Sequence, residues 1–248
     1  MKRTFSLMLL IAFIICLSSC LSENDKSPSD IPTEHYMAIG ESFNLEYKSD
    51  WKSSNTFVAT VNKNGVITAK KAGTTNIYST KEDLSCDIYV YPSYSLYIEP
   101  ITKWGMSKEE LKKEKGTPLD EDITEDGIEN ITYETSSTIA PIEIYAFEND
   151  CLRASAILIP ASYSEKIGKH LSQRMKAISY YEGEEVVVFI DAESPSDAKT
   201  IVGVGVYDSS YLLVMYTQYE EGDIETKATR SCRNLFDKIS YELLPVIE

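Results

Sequence analysis

The sequence predicts a multidomain chain in which a small all-β sandwich is followed by an α+β domain with an antiparallel sheet and two or three helices. Short segments that alternate apolar and polar residues, broken by turn residues, occupy residues 40–92. From residue 100 onward, segments whose apolar residues have helical spacing are interspersed with segments whose apolar and polar residues alternate as in strands. Runs of strands with separate helices favour an α+β arrangement, and about 150 residues suffice for a second core.

The N-terminal segment carries an export signal. Two basic residues precede an apolar run over residues 5–17, which is typical of a signal peptide and too short for a helix that crosses roughly 30 Å of hydrocarbon. Residues 17–20, Leu-Ser-Ser-Cys, resemble the lipobox of bacterial lipoproteins. That resemblance implies that residues 1–19 are a lipoprotein signal peptide and that the Cys20 sulfur carries a lipid that anchors the protein in a membrane.

The predicted tether over residues 20–35 is polar and has no apolar periodicity, so it needs no fold of its own. In lipoproteins that resemble this one, a residue other than aspartate after the lipidated cysteine favours the outer membrane, and here that residue is Leu21. Glu23 and Asp25 resemble the surface-export signals of Bacteroidetes lipoproteins. We therefore expect a lipid-anchored outer-membrane protein on the cell surface, with a periplasm-facing position as the alternative.

Charge and cysteine content narrow the possible partners. The chain has 24 Lys and Arg against 39 Asp and Glu, a net charge of -15, which disfavours nucleic acid as a partner because phosphates would be repelled. With Cys20 assigned to lipid, Cys86, Cys151 and Cys232 remain, and an odd number cannot all pair. A bridge between Cys151 and Cys232 is possible but stays open. No CxxC and no histidine at ligand spacing is present, so we expect neither a metal nor another cofactor.

The first module is predicted over residues 36–92. Cys86, Ile88 and Val90 alternate with polar or tyrosine neighbours and should face the core. The segments Trp51-Lys-Ser-Ser-Asn55, Asn64-Gly-Val-Ile-Thr-Ala69 and Lys71-Ala-Gly-Thr-Thr-Asn-Ile77 follow in an order that resembles the bacterial immunoglobulin-like group 2 (BIG2) family. The resemblance implies an Ig-like sandwich of a kind found in bacterial surface proteins and adhesins, as a spacer or a binding module. Asn64-Gly65 is predicted to supply the positive φ angles of a two-residue hairpin.

The second module is predicted over residues 100–248. A capping box, Ser107-Lys-Glu-Glu110, opens a short helix that Gly116 ends, and an acidic loop follows over residues 118–130. Strands are predicted over residues 129–135, 142–148, 151–159, 185–190, 201–207 and 211–218, and further helices from about residue 162 to 178 and over residues 225–244. This order suggests two similar halves.

Side chains that carry catalysis are scarce. The two histidines are His35, in the predicted tether, and His170, beside the apolar face of the second helix, where a packing or surface role is favoured. No Gly-x-Ser-x-Gly motif is present. We therefore predict no catalytic residues and no enzyme activity.

Tyrosine is abundant, with 17 residues, and tyrosine is common on binding faces. The candidate ligand-binding residues are Tyr180, Tyr181, Tyr207 and Tyr211, although the strand propensity of tyrosine explains the same enrichment. The leading hypothesis is a noncatalytic, lipid-anchored envelope or surface protein in which an Ig-like spacer presents an α+β module that binds an extracellular or envelope protein or a polysaccharide. The alternatives are a structural or assembly partner in the outer membrane and, less favoured, a hydrolase.

Overall fold

The computed structural model describes residues 27–124, 127–181 and 186–219. The predicted signal peptide, Cys20, Cys232 and the helix predicted over residues 225–244 lie outside these residues. Within the described ranges, no helix is long and apolar enough to cross a membrane. The chain forms a β-sandwich and an α+β domain, and a connector over residues 92–104 joins them. This is the multidomain fold that the sequence predicts.

Seven strands build the sandwich. They are β1 (Glu34–Ala38), β2 (Ser42–Asn44), β3 (Trp51–Ser53), β4 (Ala59–Val61), β5 (Val66–Ala69), β6 (Gly73–Ser79) and β7 (Ser85–Tyr91). One sheet has the order β1-β7-β6-β3, with β1 and β7 parallel, and the other has the antiparallel order β2-β5-β4. β1 begins at Glu34, so His35 lies in a strand, where its ring stacks on Phe43.

The core of the sandwich lies between these two sheets. Its largest fully buried side chains are Met37, Leu45, Ile67, Ile77 and Ile88, and Cys86 is buried beside them. The alternation predicted for the last strand is confirmed, because the burial of β7 alternates with Cys86, Ile88 and Val90 inward. Trp51 is 7% exposed, and its indole N–H donates to the carbonyl oxygen of Tyr47 at 2.8 Å. The tryptophan therefore packs in the core and satisfies its one polar atom.

The turn between β4 and β5 differs in detail from the prediction. Gly65 has a φ of +80°, but Asn64 does not have a positive φ. The N–H of Gly65 donates to the carbonyl oxygen of Asn62 at 3.0 Å, so the turn is centred on residues 63 and 64 and Gly65 follows it. The hairpin with positive φ at two successive residues lies elsewhere, at Asn149 and Asp150, with φ of 53° and 59°. Asn and Asp tolerate this conformation better than most residues, which suits the type I′ turn.

The α+β domain consists of two helices and eight strands in the described residues. They are α1 (Lys108–Lys115), β8 (Asp120–Ile123), β9 (Glu129–Glu134), β10 (Ile142–Glu148), β11 (Cys151–Pro160), α2 (Ser164–Ser172), β12 (Lys176–Tyr181), β13 (Val186–Ile190), β14 (Thr200–Val206) and β15 (Tyr211–Gln218). The predicted capping box is confirmed, since Ser107 N–H donates to Glu110 and the Ser107 hydroxyl accepts from the Glu110 N–H. Gly116 ends α1 with a φ of +89°.

All eight strands form one antiparallel sheet in the order β12-β13-β14-β15-β11-β10-β9-β8. Each half is a helix followed by a four-stranded meander, and the last strands of the two halves, β11 and β15, pair at the centre with Ala156 opposite Met215. The two similar halves suggested by the sequence are therefore present, with four strands in each half rather than three. Both additional strands lie at the edges of the sheet.

Two sequence predictions are wrong at these edges. The segment over residues 118–130, predicted to be an acidic loop, contains β8, which pairs with β9 and carries three consecutive carboxylates. One of them, Glu121, accepts from the ammonium group of Lys112 on α1. The helix predicted to continue to residue 178 ends at Ser172. Ile178 instead lies in β12 and packs against Val188 and its neighbours, whereas Ile167 and Leu171 of α2 pack in a different apolar cluster. The spacing of these apolar residues matches one face of a helix, although they pack in two different clusters.

Candidate ligand-binding cleft between the two modules

The two modules touch at the carboxyl end of α2. The N–H of Ala72, in the β5–β6 turn, donates to the carbonyl oxygen of Gln173 at 2.8 Å. The Lys71 ammonium donates to the carbonyl oxygen of Ser172 at 2.5 Å. A cation is favoured at this place because the carboxyl end of a helix carries partial negative charge. These two bonds fix the sandwich against the α+β domain.

The connector is held by the same turn of chain. Gln173 accepts from the N–H of Tyr94 and donates to Ser93, both at 3.0 Å. The Arg174 guanidinium donates to the carbonyl oxygen of Tyr94 at 3.3 Å and to the Ser95 hydroxyl at 3.1 Å. The side chains at the end of α2 thus bind the connector, and the main chain there binds the sandwich. One short segment sets the relation between both modules.

His170 lies fully buried under the connector. Its Nδ1 accepts from the N–H of Leu96 at 3.0 Å, so the neutral ring carries its proton on Nε2, and the ring stacks on Tyr97 at 3.9 Å between centroids. Nε2 makes no hydrogen bond and lies 3.7 Å from a carboxylate oxygen of Glu99. Burial lowers the pKa of His170, the Glu99 carboxylate raises it and the Arg174 guanidinium lowers it, with burial the largest effect. The packing role favoured from the sequence agrees with this placement.

A cleft of about 390 Å³ opens between the modules. The sandwich contributes Asn55, Phe57 and Thr74, the connector contributes Glu99 and Thr102, and the α+β domain contributes Arg174, Met175, Asp191, Thr200 and Tyr216. This volume lies within the range of about 300–1,000 Å³ that is usual for small-molecule sites. Most of the polar groups in this lining are hydroxyls, carboxylates and an amide, and the aromatic rings at its floor are nearly inaccessible to solvent.

The charged groups of the cleft are partly paired and well positioned. Glu99 lies 3.5 Å from the Arg174 guanidinium, and the two side chains are 37% and 13% exposed. Asp191 accepts from the backbone N–H groups of Lys199 and Thr200 at 2.8 and 3.1 Å, which orders the loop between β13 and β14. The cleft therefore offers carboxylate acceptors and one guanidinium in a nearly balanced arrangement.

Hydrogen bonds hold the side chains at the floor of the cleft. The hydroxyls of Tyr216 and Tyr97 are hydrogen-bonded at 2.8 Å in a buried setting. Burial raises the pKa of Tyr216 well above its ordinary value, so its hydroxyl stays neutral. The Trp104 indole N–H donates to the Thr200 hydroxyl at 3.2 Å, which ties the connector to the start of β14. The lining is thus built before any ligand arrives.

Two of the tyrosines proposed from the sequence, Tyr207 and Tyr211, are not part of the cleft lining. Tyr180 and Tyr181 are the last residues of β12, at an edge of the sheet. Tyr207 and Tyr211 meet at the β14–β15 turn, where the N–H of Tyr207 donates to the carbonyl oxygen of Tyr211 at 3.0 Å, and both pack against an apolar cluster.

Cys20 lies outside the described residues. Among the described residues Cys151 has no disulfide partner. Cys232 lies outside them, so the possible bridge between the two stays open.

The cleft residues carry no local signal that sequence reasoning could have used. Glu99 and Thr102 lie in a connector that has no apolar periodicity. Arg174 lies just after the end of α2, in a stretch that the sequence predicts to be helical. In the described ranges, no group of three or more His, Cys, Asp or Glu side chains is placed to hold a metal ion. Among the described residues, the polar groups that the cleft offers a ligand are hydrogen-bonding groups.

Comparisons with known proteins bear on the first module. A search of the curated proteins returns no match. A solved structure of an extracellular protein containing a SCP domain from Bacillus anthracis strain Ames is 10% identical, covers 51% of this chain and has a TM-score of 0.27, a likeness too low to carry an argument. The alignment spans about half of that structure's length, 49%. Residues 39–87 match the model of the bacterial Ig-like domain (group 2), so this module is a bacterial Ig-like domain of the kind that its sequence motifs indicate.

Proposed function

We propose that the protein is a noncatalytic, lipid-anchored surface protein of the outer membrane that binds a neutral glycan in the cleft between its two modules. The observation that carries the proposal is the composition of the cleft, where hydroxyl, amide and carboxylate groups from both modules surround aromatic and apolar side chains. A sugar presents the complementary chemistry, with hydroxyls that donate to carboxylates and exchange hydrogen bonds with the hydroxyl and amide groups.

Charge favours a neutral ligand. Arg174 already faces Glu99 in the cleft, so an anionic ligand would have to displace a carboxylate, and the chain as a whole is strongly acidic. Buried polar groups lose free energy when they are left without partners, so a ligand rich in hydroxyls satisfies this lining better than an apolar one. The Ig-like module then acts as half of the binding site as well as a spacer.

The binding test uses the chain from residue 21 onward on a glycan array, followed by calorimetry on the best ligand. Thr74 is exposed on β6 at the cleft, so Thr74→Trp should fill the entrance without disturbing the core. Its matched control is Thr68→Trp, at an exposed position of β5 outside the cleft lining. We expect the first change to lower affinity at least tenfold, equivalent to about 1.4 kcal/mol, and the second to leave it unchanged.

A second pair of variants tests the chemistry of the site. Glu99→Gln keeps the shape of the side chain and removes the charge that accepts hydrogen bonds in the cleft, so it should weaken binding by roughly tenfold or more. Glu193→Gln, at a side chain that is 67% exposed and outside the cleft lining, is its control. If no glycan binds, and a pull-down from solubilised membranes instead recovers a stoichiometric protein partner, glycan binding is contradicted. That result would favour the alternative function, a structural or assembly partner in the outer membrane.

The anchoring part of the proposal rests on the Leu-Ser-Ser-Cys20 sequence and the Ig-like domain, which is typical of surface or extracellular proteins. Cells grown with a labelled fatty acid should incorporate the label into the wild-type chain and not into a Cys20→Ala variant. Protease added to intact cells should remove the α+β domain while a periplasmic control protein survives. Protection until the outer membrane is permeabilised would place the protein on the periplasmic side.

A further inference from the structure

The outer face of the four-stranded sheet of the Ig-like module bears three tyrosines that stack on one another. The ring of Tyr36, on β1, lies 4.8 Å from that of Tyr89 and 5.8 Å from that of Tyr91, both on β7, with planes within 18° and 10° of parallel. Tyr36 is 49% exposed and Tyr91 is 54% exposed. We call these three residues the tyrosine row. Large aromatic side chains in such number on an exposed face mark an interaction surface.

Two carboxylates lie directly beside the tyrosine row. Glu34 and Asp87 are opposite each other in the β1–β7 register. In each strand they lie two residues before the pair formed by Tyr36 and Tyr89, on the same face of the sheet. Like charges that face each other across two strands are destabilising. Their bonds are to neutral groups, because Glu34 accepts from the Tyr36 hydroxyl at 3.4 Å and Asp87 accepts from the Asn76 amide at 2.7 Å. A cation placed between them would relieve the repulsion.

Within the described part of the chain, the rest of this face offers the two carboxylates no cation. Among the outward positions of β1, β7, β6 and β3, the one basic side chain is Lys52, which lies opposite Tyr78 on β6. Tyr78 in turn lies opposite Ser85 at the far end of β7 from the tyrosine row. The tyrosine row and its two carboxylates therefore form an aromatic surface with local negative charge.

We propose that this face binds a basic segment of another protein, with arginine or lysine side chains stacked on the tyrosine row and paired with Glu34 and Asp87. Guanidinium groups combine both contacts, since they lie flat on aromatic rings and bond to carboxylates. The acidic charge of the whole chain would speed the encounter. A neutral glycan would leave the repulsion between the two carboxylates uncompensated. The three tyrosines of the row are not part of the cleft lining. Thr74, which does line the cleft, lies opposite Tyr89 in the β6–β7 register, so the variants that test the row leave Thr74 unchanged.

The test measures the anisotropy of a fluorescent peptide of alternating arginine and glycine against the lipid-free chain from residue 21 onward, at low ionic strength. Tyr36→Ala combined with Tyr91→Ala should weaken binding roughly five- to thirtyfold, as expected for two exposed cation–π contacts of about 0.5–1 kcal/mol each. Glu34→Gln combined with Asp87→Asn keeps the shape of the face and should weaken binding by a similar factor. Tyr78→Ala, on the same face but away from the row, should leave binding unchanged.

A control separates this surface from general attraction to an acidic protein. Glu109→Gln combined with Glu148→Gln removes the same charge from exposed positions of the α+β domain and should change the affinity less than twofold. Thermal unfolding confirms that each variant is folded. Equal losses for the control and for the Glu34 and Asp87 variant, or unchanged affinity without the tyrosines, would overturn the proposal. So would binding of a neutral glycan, and not of the basic peptide, that depends on the tyrosine row.

Discussion

The buried imidazole of His170 should make the protein less stable in mild acid. The ring is inaccessible to solvent, accepts from the Leu96 N–H and stacks on Tyr97. Burial lowers its pKa from the ordinary value of 6.5, and the nearby Glu99 carboxylate opposes that effect only in part. The folded protein therefore binds a proton at His170 less readily than the unfolded chain does.

The sign and size of the effect follow from proton linkage. Above pH 6.5 the ring is neutral in both states and its contribution to folding is fully present. Below pH 6.5 the unfolded chain binds a proton, so the free energy of unfolding falls by at most about 1.4 kcal/mol per pH unit until the lowered folded pKa is reached. Between pH 7.5 and 5.5, the loss due to His170 is thus at most about 1.4 kcal/mol.

Urea unfolding at these two pH values measures the loss. In His170→Asn the amide oxygen can still accept from the Leu96 N–H, but the side chain does not titrate. The variant should be less stable at pH 7.5 by about 1–3 kcal/mol because the ring stack is lost, and should lose about 1 kcal/mol less than the wild type on acidification. His35→Asn leaves His170 intact, so the loss assigned to His170 should remain. Equal acid-induced losses for the wild type and His170→Asn would refute the reasoning.

Three further predictions concern the described cores and turns. Leu171→Ala, at a fully buried position of α2, should lower the free energy of unfolding by about 2–5 kcal/mol in urea. Gly65→Ala should destabilise more than Gly40→Ala in the same assay, because both have positive φ but a Cβ at Gly65 would lie 2.7 Å from a carbonyl oxygen, whereas at Gly40 it would meet open space. Burial raises the pKa of the Cys86 thiol to about 11, so mass spectrometry after alkylation at pH 8 should find the partly exposed Cys151 modified and Cys86 protected until the chain unfolds.

Strands that are rich in apolar or β-branched residues and bounded by turn residues were predictable from the sequence. The segments predicted over residues 142–148 and 211–218 coincide with β10 and β15. The two edge strands, β8 and β12, were missed for physical reasons. β8 carries acidic side chains that suit a solvated edge and lack an apolar alternation, and edge strands are often charged in this way. In β12, Ile178 extends the spacing of the apolar residues of α2, so periodicity alone continued the helix.

The sequence by itself determined the Ig-like module and most of the strands of the second module, because these depend on composition, on local periodicity and on turn residues. The export signal stays a prediction of the sequence. Only the tertiary structure decided where the modules meet. The cleft joins Thr74, Glu99 and Asp191, which are far apart in the chain, and the tyrosine row joins Tyr36 to β7 across a parallel strand pair. Such contacts depend on which strands pair and on how the end of α2 holds the connector, and neither is written in a local pattern.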